Sequence, residues 1–515
     1  MQARQGAAIK ELNIGQILFL FNMYWLGIDV GTGGTRALLV DAGGKVRHSF
    51  TSPHDDMRME RPFWAEQRPD NWWDAAQLAI RGVLAAAGVS GTDVRGIGLS
   101  GQMHGLVLLD AANQVIRPAL IWCDQRSQAQ VDGINQRIGK ETVLSSIANP
   151  VLTGFTLPKL LWVRDNEPAH FARIQKFLLP KDYIRFRLTG AHVCDVSDAS
   201  GTALFDVVHR EWSYSFADQL GIDRSLLPDV MESSDISGRV SRAAAQATGL
   251  AEGTPVVAGA GDQAASAIGN GIVETGIMSC TIGTSGVVFA HTPAPAYDRA
   301  GRVHTFCHAV RGAWHVMGVT QGAGLSLQWF RKTLAPGTDY DKLTAEAATA
   351  ETGSQGLYWL PYLMGERTPH LDANARGGWI GLTAKHTRAD LIRSLLEGVS
   401  YSQMDGLEII EKMGVTVNSV RVSGGGARSA FWRQMLANVF GKRVAVLESE
   451  EGSAYGAALL ALVGTGEFSS VVEVCKAAVH EVGFVDPQPE DAAIYVEGHR
   501  HYQSLYPAIA GRKGI

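Results

Sequence analysis

W-L-G-I-D-V-G-T-G-G-T-R-A-L-L-V-D-A-G-G-K-V, running from Trp25 to Val46, is the stretch that decides the fold. An apolar run enters Gly31-Thr32-Gly33-Gly34, a second run from Ala37 to Val40 leaves it, and Asp41-Ala42-Gly43-Gly44 turns the chain again. This spacing predicts a β-meander. A dinucleotide-binding fold needs G-x-G-x-x-G, with glycines that open a helix. Here G-x-G-G opens another strand, which excludes that class of oxidoreductase. Met278 to Ala290, M-S-C-T-I-G-T-S-G-V-V-F-A, repeats the device: an apolar run, Gly-Thr-x-Gly, and a strand beyond. The pair predicts an internal duplication, with two α/β halves facing each other across a cleft.

Length agrees, because 515 residues exceed one ordinary core. Strands are expected at 94–99 and 256–260, and helices at 71–87 and 156–166. The second half adds helices at 325–334 and 388–413 and a strand near 419–423. We expect a first domain over 23–270 and a second over 275–515. The apolar stretch from Ile14 to Ile28 is too short to span a membrane and runs straight into the glycine loop, so structure is expected to begin near Met23, after a poorly ordered extension over 1–22. A net charge of -5 argues against a nucleic-acid partner. The five cysteines are scattered, without C-x-x-C, and fit a reducing cytoplasm.

Five motifs carry chemistry. Gly31-Thr32 and Gly283-Thr284-Ser285 are hairpin tips whose backbone N–H groups and hydroxyls suit phosphate oxygens; each alone is also an ordinary glycine turn. Asp29, two residues before the first tip, can reach Mg²⁺ or can fix its own turn. Ser423-Gly424-Gly425-Gly426-Ala427-Arg428-Ser429 lies between a strand and a helix, where flat glycines accept a purine ring or allow close packing. Asp262, delivered by a strand into A-G-D-Q-A-A-S-A, is the candidate general base, with Gln263 beside it for hydroxyl groups; a helix N-cap is its structural alternative. Ser100-Gly101-Gln102-Met103-His104-Gly105 ends a strand as a polar loop, although His104 could equally be a histidine satisfied within a turn. His304-x-x-Cys307-His308 lacks a second ligand cluster and reads as a buried strand.

In this order the motifs resemble the FGGY carbohydrate kinases of the actin/Hsp70/sugar-kinase superfamily, from Met23 to about Thr465. Gly154–Trp162 (G-F-T-L-P-K-L-L-W) and Gly377–Leu382 (G-G-W-I-G-L), followed by Asp390–Glu397, look like family signatures. Trp64–Trp73, Ser100–Gly105, Leu179–Gly190 and Pro361–Pro369 look like its pentulose-specific members. The resemblance implies two duplicated ribonuclease H-like (actin-like ATPase) domains flanking an interdomain catalytic cleft. It implies ATP and Mg²⁺, with D-xylulose as acceptor and phosphorylation at its 5-hydroxyl; another pentulose, a polyol, or an ATPase switch are the alternatives. Asp29 would be the metal-linked carboxylate. Gly31, Thr32, Gly33 and Arg36 would lie near the phosphates from one side, and Gly283 and Thr284 from the other. Gly324, Gln328, Gly425, Gly426 and Ala427 would contact the nucleotide, and Met103, His104, Asp262 and Gln263 the sugar. Some pentulose-specific members carry Asn where this chain has Gln263. A cytoplasmic enzyme acting on a small sugar and ATP follows, without nucleic acid or membrane; a homodimer is compatible with it.

Overall fold

The computed structural model describes residues 23–448 and 451–510. The expected extension over 1–22 lies outside the described residues. The chain forms two compact units that are not contiguous in sequence. Of the described residues, the first takes those up to Val273 together with Cys307–Gly312 and Glu451–Val479, and the second takes the others.

In the first unit, β1 (Tyr24–Val30), β2 (Gly34–Asp41) and β3 (Val46–Pro53) form the meander read from the sequence, each strand antiparallel to the next. Helix α1 (Pro69–Ala87) starts on a proline, whose missing N–H costs nothing at a helix start, and stops at Gly88 with φ of 64°. Strand β4 (Val94–Gly101) runs parallel to β1, helices α2 (Thr156–Asn166) and α3 (Pro180–Thr189) follow, and β5 (Ile236–Arg239) and β6 (Pro255–Val257) extend the sheet. Its order is β5-β6-β4-β1-β2-β3, with the two-residue strand β7 (Ala260–Gly261) also beside β4 and leading into α4 (Asp262–Gly269). The single strand expected at 256–260 is therefore broken. Gly259 takes φ of 81° there, and a Cβ would sit 2.2 Å from the Leu99 carbonyl oxygen. A residue with a side chain could not pass so close.

Strand β1 is apolar almost throughout because both faces of the sheet are covered. One cover is the helix Gly452–Gly464, whose sequence G-S-A-Y-G-A-A-L-L-A-L-V-G is nearly all small or apolar. A Cβ on Gly27 would lie 1.9 Å from the Ala454 carbonyl oxygen, and one on Gly98 equally close to that of Ala457. Small residues on both partners let this helix lie directly on the sheet.

The second unit repeats the plan. Strands β8 (Gly276–Ile282) and β9 (Gly286–Thr292) form the second hairpin, β10 (His304–Cys307) is buried at one edge, and β11 (Trp314–Thr320) follows. Helices α5 (Gly324–Leu334), α6 (Tyr340–Ala347) and α7 (Arg388–Lys412) precede β12 (Val417–Ser423), α8 (Ala430–Phe440), β13 (Arg443–Leu447) and the edge strand β14 (Glu481–Val485). The order β10-β11-β9-β8-β12-β13-β14 keeps the pattern of the first unit around its hairpin: β9 and β8 pair as β2 and β1 do, β11 lies antiparallel beyond β9 as β3 does beyond β2, and β12 runs parallel to β8 as β4 does to β1. Helix α7, the longest described, starts with a reciprocal cap between Thr387 and Asp390.

Candidate functional site

In the first unit the carboxyl ends of β1, β4 and β7 lie side by side, where open α/β sheets gather ligand groups. Asp29 stands level with Ser100, and Ser100 with Ala260. Ser100 Oγ donates to Asp29 Oδ1 at 2.8 Å, which leaves Oδ2 for a cation. Asp262 comes one residue after β7 as the first residue of α4, and the cap position belongs to Gly261. Burial and, next, the charge of Asp29 push the Asp262 carboxyl up to about 7, against hydrogen bonds from the Gln263 backbone and side chain. Part of the Asp262 surface stays open to solvent, so the desolvation comes from crowding rather than from complete enclosure. Asp29 is raised for the same first reason, tempered by Ser100 and by the Arg36 charge. The site thus sets two mutually repelling carboxylates in a poorly solvated corner. A divalent cation would relieve that repulsion, so the donor set fits Mg²⁺, which takes one or two carboxylates and completes its shell with phosphate and water. Among the described residues no group of three or more His, Cys, Asp or Glu side chains converges as a self-sufficient metal site.

The first hairpin tip is held by its carbonyl oxygens. Gln102 donates to that of Gly31, Gln67 to that of Thr32 at 2.8 Å, and the His54 N–H to that of Gly33 at 3.0 Å. The Gly31 N–H closes the turn on the Gly34 carbonyl at 3.0 Å. The Thr32 hydroxyl donates to Gln102 and accepts from the indole of Trp122. Arg36, expected near phosphate, pairs with Glu451 and donates to Ser49 Oγ at 3.1 Å.

Met103 is buried with its thioether against Gly261, where a Cβ would lie 2.9 Å from its sulfur. His104 has φ of 69°. Its ring stacks on Phe155 at 4.7 Å, and its Nδ1 donates to the Gly201 carbonyl at 2.7 Å. That bond fixes the tautomer, so Nε2 is the acceptor nitrogen. The His104 carbonyl receives Thr156 Oγ1 at 3.2 Å and Lys159 Nζ at 3.0 Å. Lys159 is fully buried, and desolvation lowers its amine to about 7.

In the second unit, Gly283, Thr284, Gly324, Gln328, Gly425 and Gly426 line one cavity of about 610 Å³, and Ala427 is buried next to them. That volume lies within the range of small-molecule sites. The second tip is pinned as the first is: the N–H groups of Gly324 and Leu325 donate to the carbonyls of Gly283 and Thr284. Gly424, with φ of 83°, starts a tight turn over Gly425–Arg428, and Ser429 caps α8. Asp339, Tyr340, Asp341, Thr344 and Trp432 also line it. The sequence reading passed over them because they sit in no glycine motif. Gln67, Trp122 and Lys159 escaped for a related reason: each acts on a loop distant in sequence.

Most of the chain has known relatives. Residues 24–269 match the model of the FGGY family of carbohydrate kinases, N-terminal domain, and residues 278–465 match that of the C-terminal domain. A xylulose kinase of Bacillus subtilis (strain 168) is 39% identical over 483 residues, 94% of this chain and 96% of that protein. The crystal structure of a xylulose kinase from Rhodospirillum rubrum superposes with a TM-score of 0.89 at 31% identity, covering 94% of this chain and 99% of that one. A gluconate kinase from Lactobacillus acidophilus reaches 0.91 at 26% identity, over 96% of this chain and 99% of that one.

Proposed function

The chain belongs to the FGGY family of carbohydrate kinases, and from that premise we propose that it transfers the γ-phosphoryl group of ATP to the 5-hydroxyl of D-xylulose. The observation that carries the proposal is the position of Asp262: first in its helix, beside Asp29, with a carboxyl raised to about 7. An alcohol is a poor nucleophile, and a carboxylate of that basicity takes its proton as the new phosphorus–oxygen bond forms. Met103, His104 and Gln263 would hold the sugar, with His104 Nε2 accepting from a hydroxyl. The cavity between the second hairpin and Gly425–Gly426 would hold the nucleotide, and the N–H groups of both hairpin tips would face phosphate. Asp29 would hold Mg²⁺, which neutralises phosphate charge when bound. Among the described residues no helix is long and apolar enough to cross a membrane, and the five cysteines are free thiols; we place the enzyme in the cytoplasm.

The gluconate kinase shares the fold as closely as the xylulose kinase does, so shape does not choose the acceptor. The test is a coupled assay with Mg-ATP and a panel of D-xylulose, L-xylulose, ribulose, gluconate and glycerol. We expect the highest kcat/KM with D-xylulose. A clear preference for another acceptor overturns the assignment, and phosphate release indifferent to every sugar would make the protein an ATPase switch.

A further inference from the structure

Below the candidate base lies a cluster of five charged side chains with no solvent exposure at all. Lys181 Nζ stands 2.5 Å from Asp182 Oδ1, 2.8 Å from Asp195 Oδ1 and 3.1 Å from Asp198 Oδ2, and Arg185 reaches Asp182 at 3.1 Å. Two cations face three carboxylates. Burial raises Asp198 well above the ordinary carboxylate range, so a proton there leaves the cluster neutral. Enclosing so many charges is costly, and apolar residues of the same volume would fill the space at least as stably. Stability alone therefore does not account for the cluster.

Its outward bonds converge on one segment. Asp195 Oδ2 accepts from Ser197 Oγ at 2.5 Å, and Ser197 Oγ in turn accepts from the Gly261 N–H at 3.1 Å. Arg185 Nη1 donates to the Ala258 carbonyl at 2.5 Å. The cluster thus grips both ends of Ala258–Gly261, the four residues that lead into Asp262. The other bonds of this segment are backbone ones: the Ala258 and Gly259 N–H groups donate to the carbonyls of Asp235 at 2.8 Å and Ser233 at 2.9 Å. Strand β7 contributes two residues to the sheet, and Gly259 holds a left-handed conformation. The Ser197 hydroxyl is the side-chain anchor at the residue next to Asp262, where a small shift moves the carboxylate most.

We infer that Lys181, Asp195 and Ser197 form a positioning relay that fixes Asp262 through the Gly261 N–H. They are positioning residues: none touches substrate. The inference rests on the reading of Asp262 as the base, and misplacing a reacting group by about 1 Å can cost roughly a hundredfold in rate.

The test compares two hydroxyl deletions in the full chain. Ser197 and Ser233 are both fully buried, and both donate to Asp195 Oδ2, Ser233 at 3.1 Å. Only the Ser197 hydroxyl also holds Gly261. Ser197→Ala should lower kcat for D-xylulose phosphorylation by tenfold or more, with KM for ATP within twofold of the parent. Ser233→Ala, which removes an equivalent bond from the same carboxylate, should change kcat less than threefold. Equal losses in the two variants, or an unchanged kcat in Ser197→Ala, overturn the relay. Asp262→Asn is measured alongside: if it is inactive while Ser197→Ala is unaffected, the relay alone falls, and if it turns over normally, the base assignment falls and takes the relay with it.

Discussion

Replacing Lys159 with methionine should stabilise the protein at pH 7, destabilise it at pH 10 and impair catalysis at both. Lys159 is fully buried, and its Nζ donates to two carbonyls, those of His104 at 3.0 Å and Gly154 at 2.5 Å. A neutral amine has two N–H bonds, one for each. Desolvation lowers its pKa from 10.5 to about 7, so the amine is largely neutral in the folded chain above pH 7 and charged in the unfolded one. Between those values the unfolded state binds the extra proton, and wild-type stability climbs with pH. At about 1.4 kcal/mol per pKa unit, the buried lysine costs about 4 kcal/mol at pH 7 and under about 1 kcal/mol at pH 10. Methionine fills similar volume and removes this cost at every pH, but the Gly154 carbonyl then lacks its donor, a loss of about 1–3 kcal/mol. The His104 carbonyl keeps Thr156. The net effect is a gain of about 1–3 kcal/mol at pH 7 and a loss of up to about 2 kcal/mol at pH 10. Urea unfolding of both proteins at the two pH values measures the difference, in which other titrations cancel. Sugar KM should rise in the variant because the His104 loop has lost a tether. A stability difference independent of pH would show that Lys159 stays charged in the fold, and the reasoning would be wrong.

Other consequences are quicker to check. Asp262→Asn should abolish phosphorylation while ATP affinity, followed by calorimetry, stays within a few-fold. In the parent the acid limb of kcat/KM should fall as pH drops through about 7, because protonation of Asp262 removes the base; a limb near pH 4 would refute the raised carboxyl. Gly425 lines the cavity proposed for the nucleotide and a Cβ there meets nothing within 4 Å, so Gly425→Phe should fold normally yet raise KM for ATP tenfold or more. Gly426→Ala is the converse: its Cβ would lie 2.5 Å from Ile282 Cγ2, so thermal unfolding should occur several degrees lower. Asp29→Asn should raise the Mg²⁺ concentration needed for half-maximal turnover by an order of magnitude, read by metal titration of the coupled assay.

The sequence made the two hairpins plain because Gly-Thr-x-Gly between apolar runs has few structural solutions. The observed strands, Tyr24–Val30 with Gly34–Asp41 and Gly276–Ile282 with Gly286–Thr292, follow that reading. Helices with clear punctuation were also legible: 156–166 agrees to the residue, and 388–413 to its last position. What stayed hidden was long-range. The helix Gly452–Gly464 looks like any apolar helix, and nothing local says that its small residues match Gly27 and Gly98 more than 350 positions earlier. The support of the site was hidden likewise. Gln67 reads as one polar residue in W-A-E-Q-R-P, and Lys181 as one charge in L-P-K-D-Y, until the fold carries them to the Thr32 carbonyl and the Asp195 carboxylate.

The duplication extends to single hydrogen bonds, and where it breaks is informative. Counting back from each Gly-Thr tip, Asp29 in β1 corresponds to Thr281 in β8. Asp29 accepts from Ser100 on the parallel strand at 2.8 Å, and Thr281 bonds Ser423 on its own parallel strand at 2.9 Å, at the same register. Ser100-Gly101 and Ser423-Gly424 are therefore equivalent strand ends. Beyond them the copies part: one continues Gln102-Met103-His104, with an imidazole and a thioether, and the other Gly425-Gly426-Ala427, flat enough to border the cavity. One copy keeps a carboxylate at the tip while the other has a neutral hydroxyl. Under the proposed function, the same scaffold position would serve a cation and an acceptor in one half and a planar ligand in the other. Such a division requires no new backbone, only different side chains at the carboxyl ends of two equivalent strands. On this argument, putting aspartate at position 281 would not recreate a metal site, because the charge would face Ser423 without the second carboxylate that Asp262 supplies to Asp29.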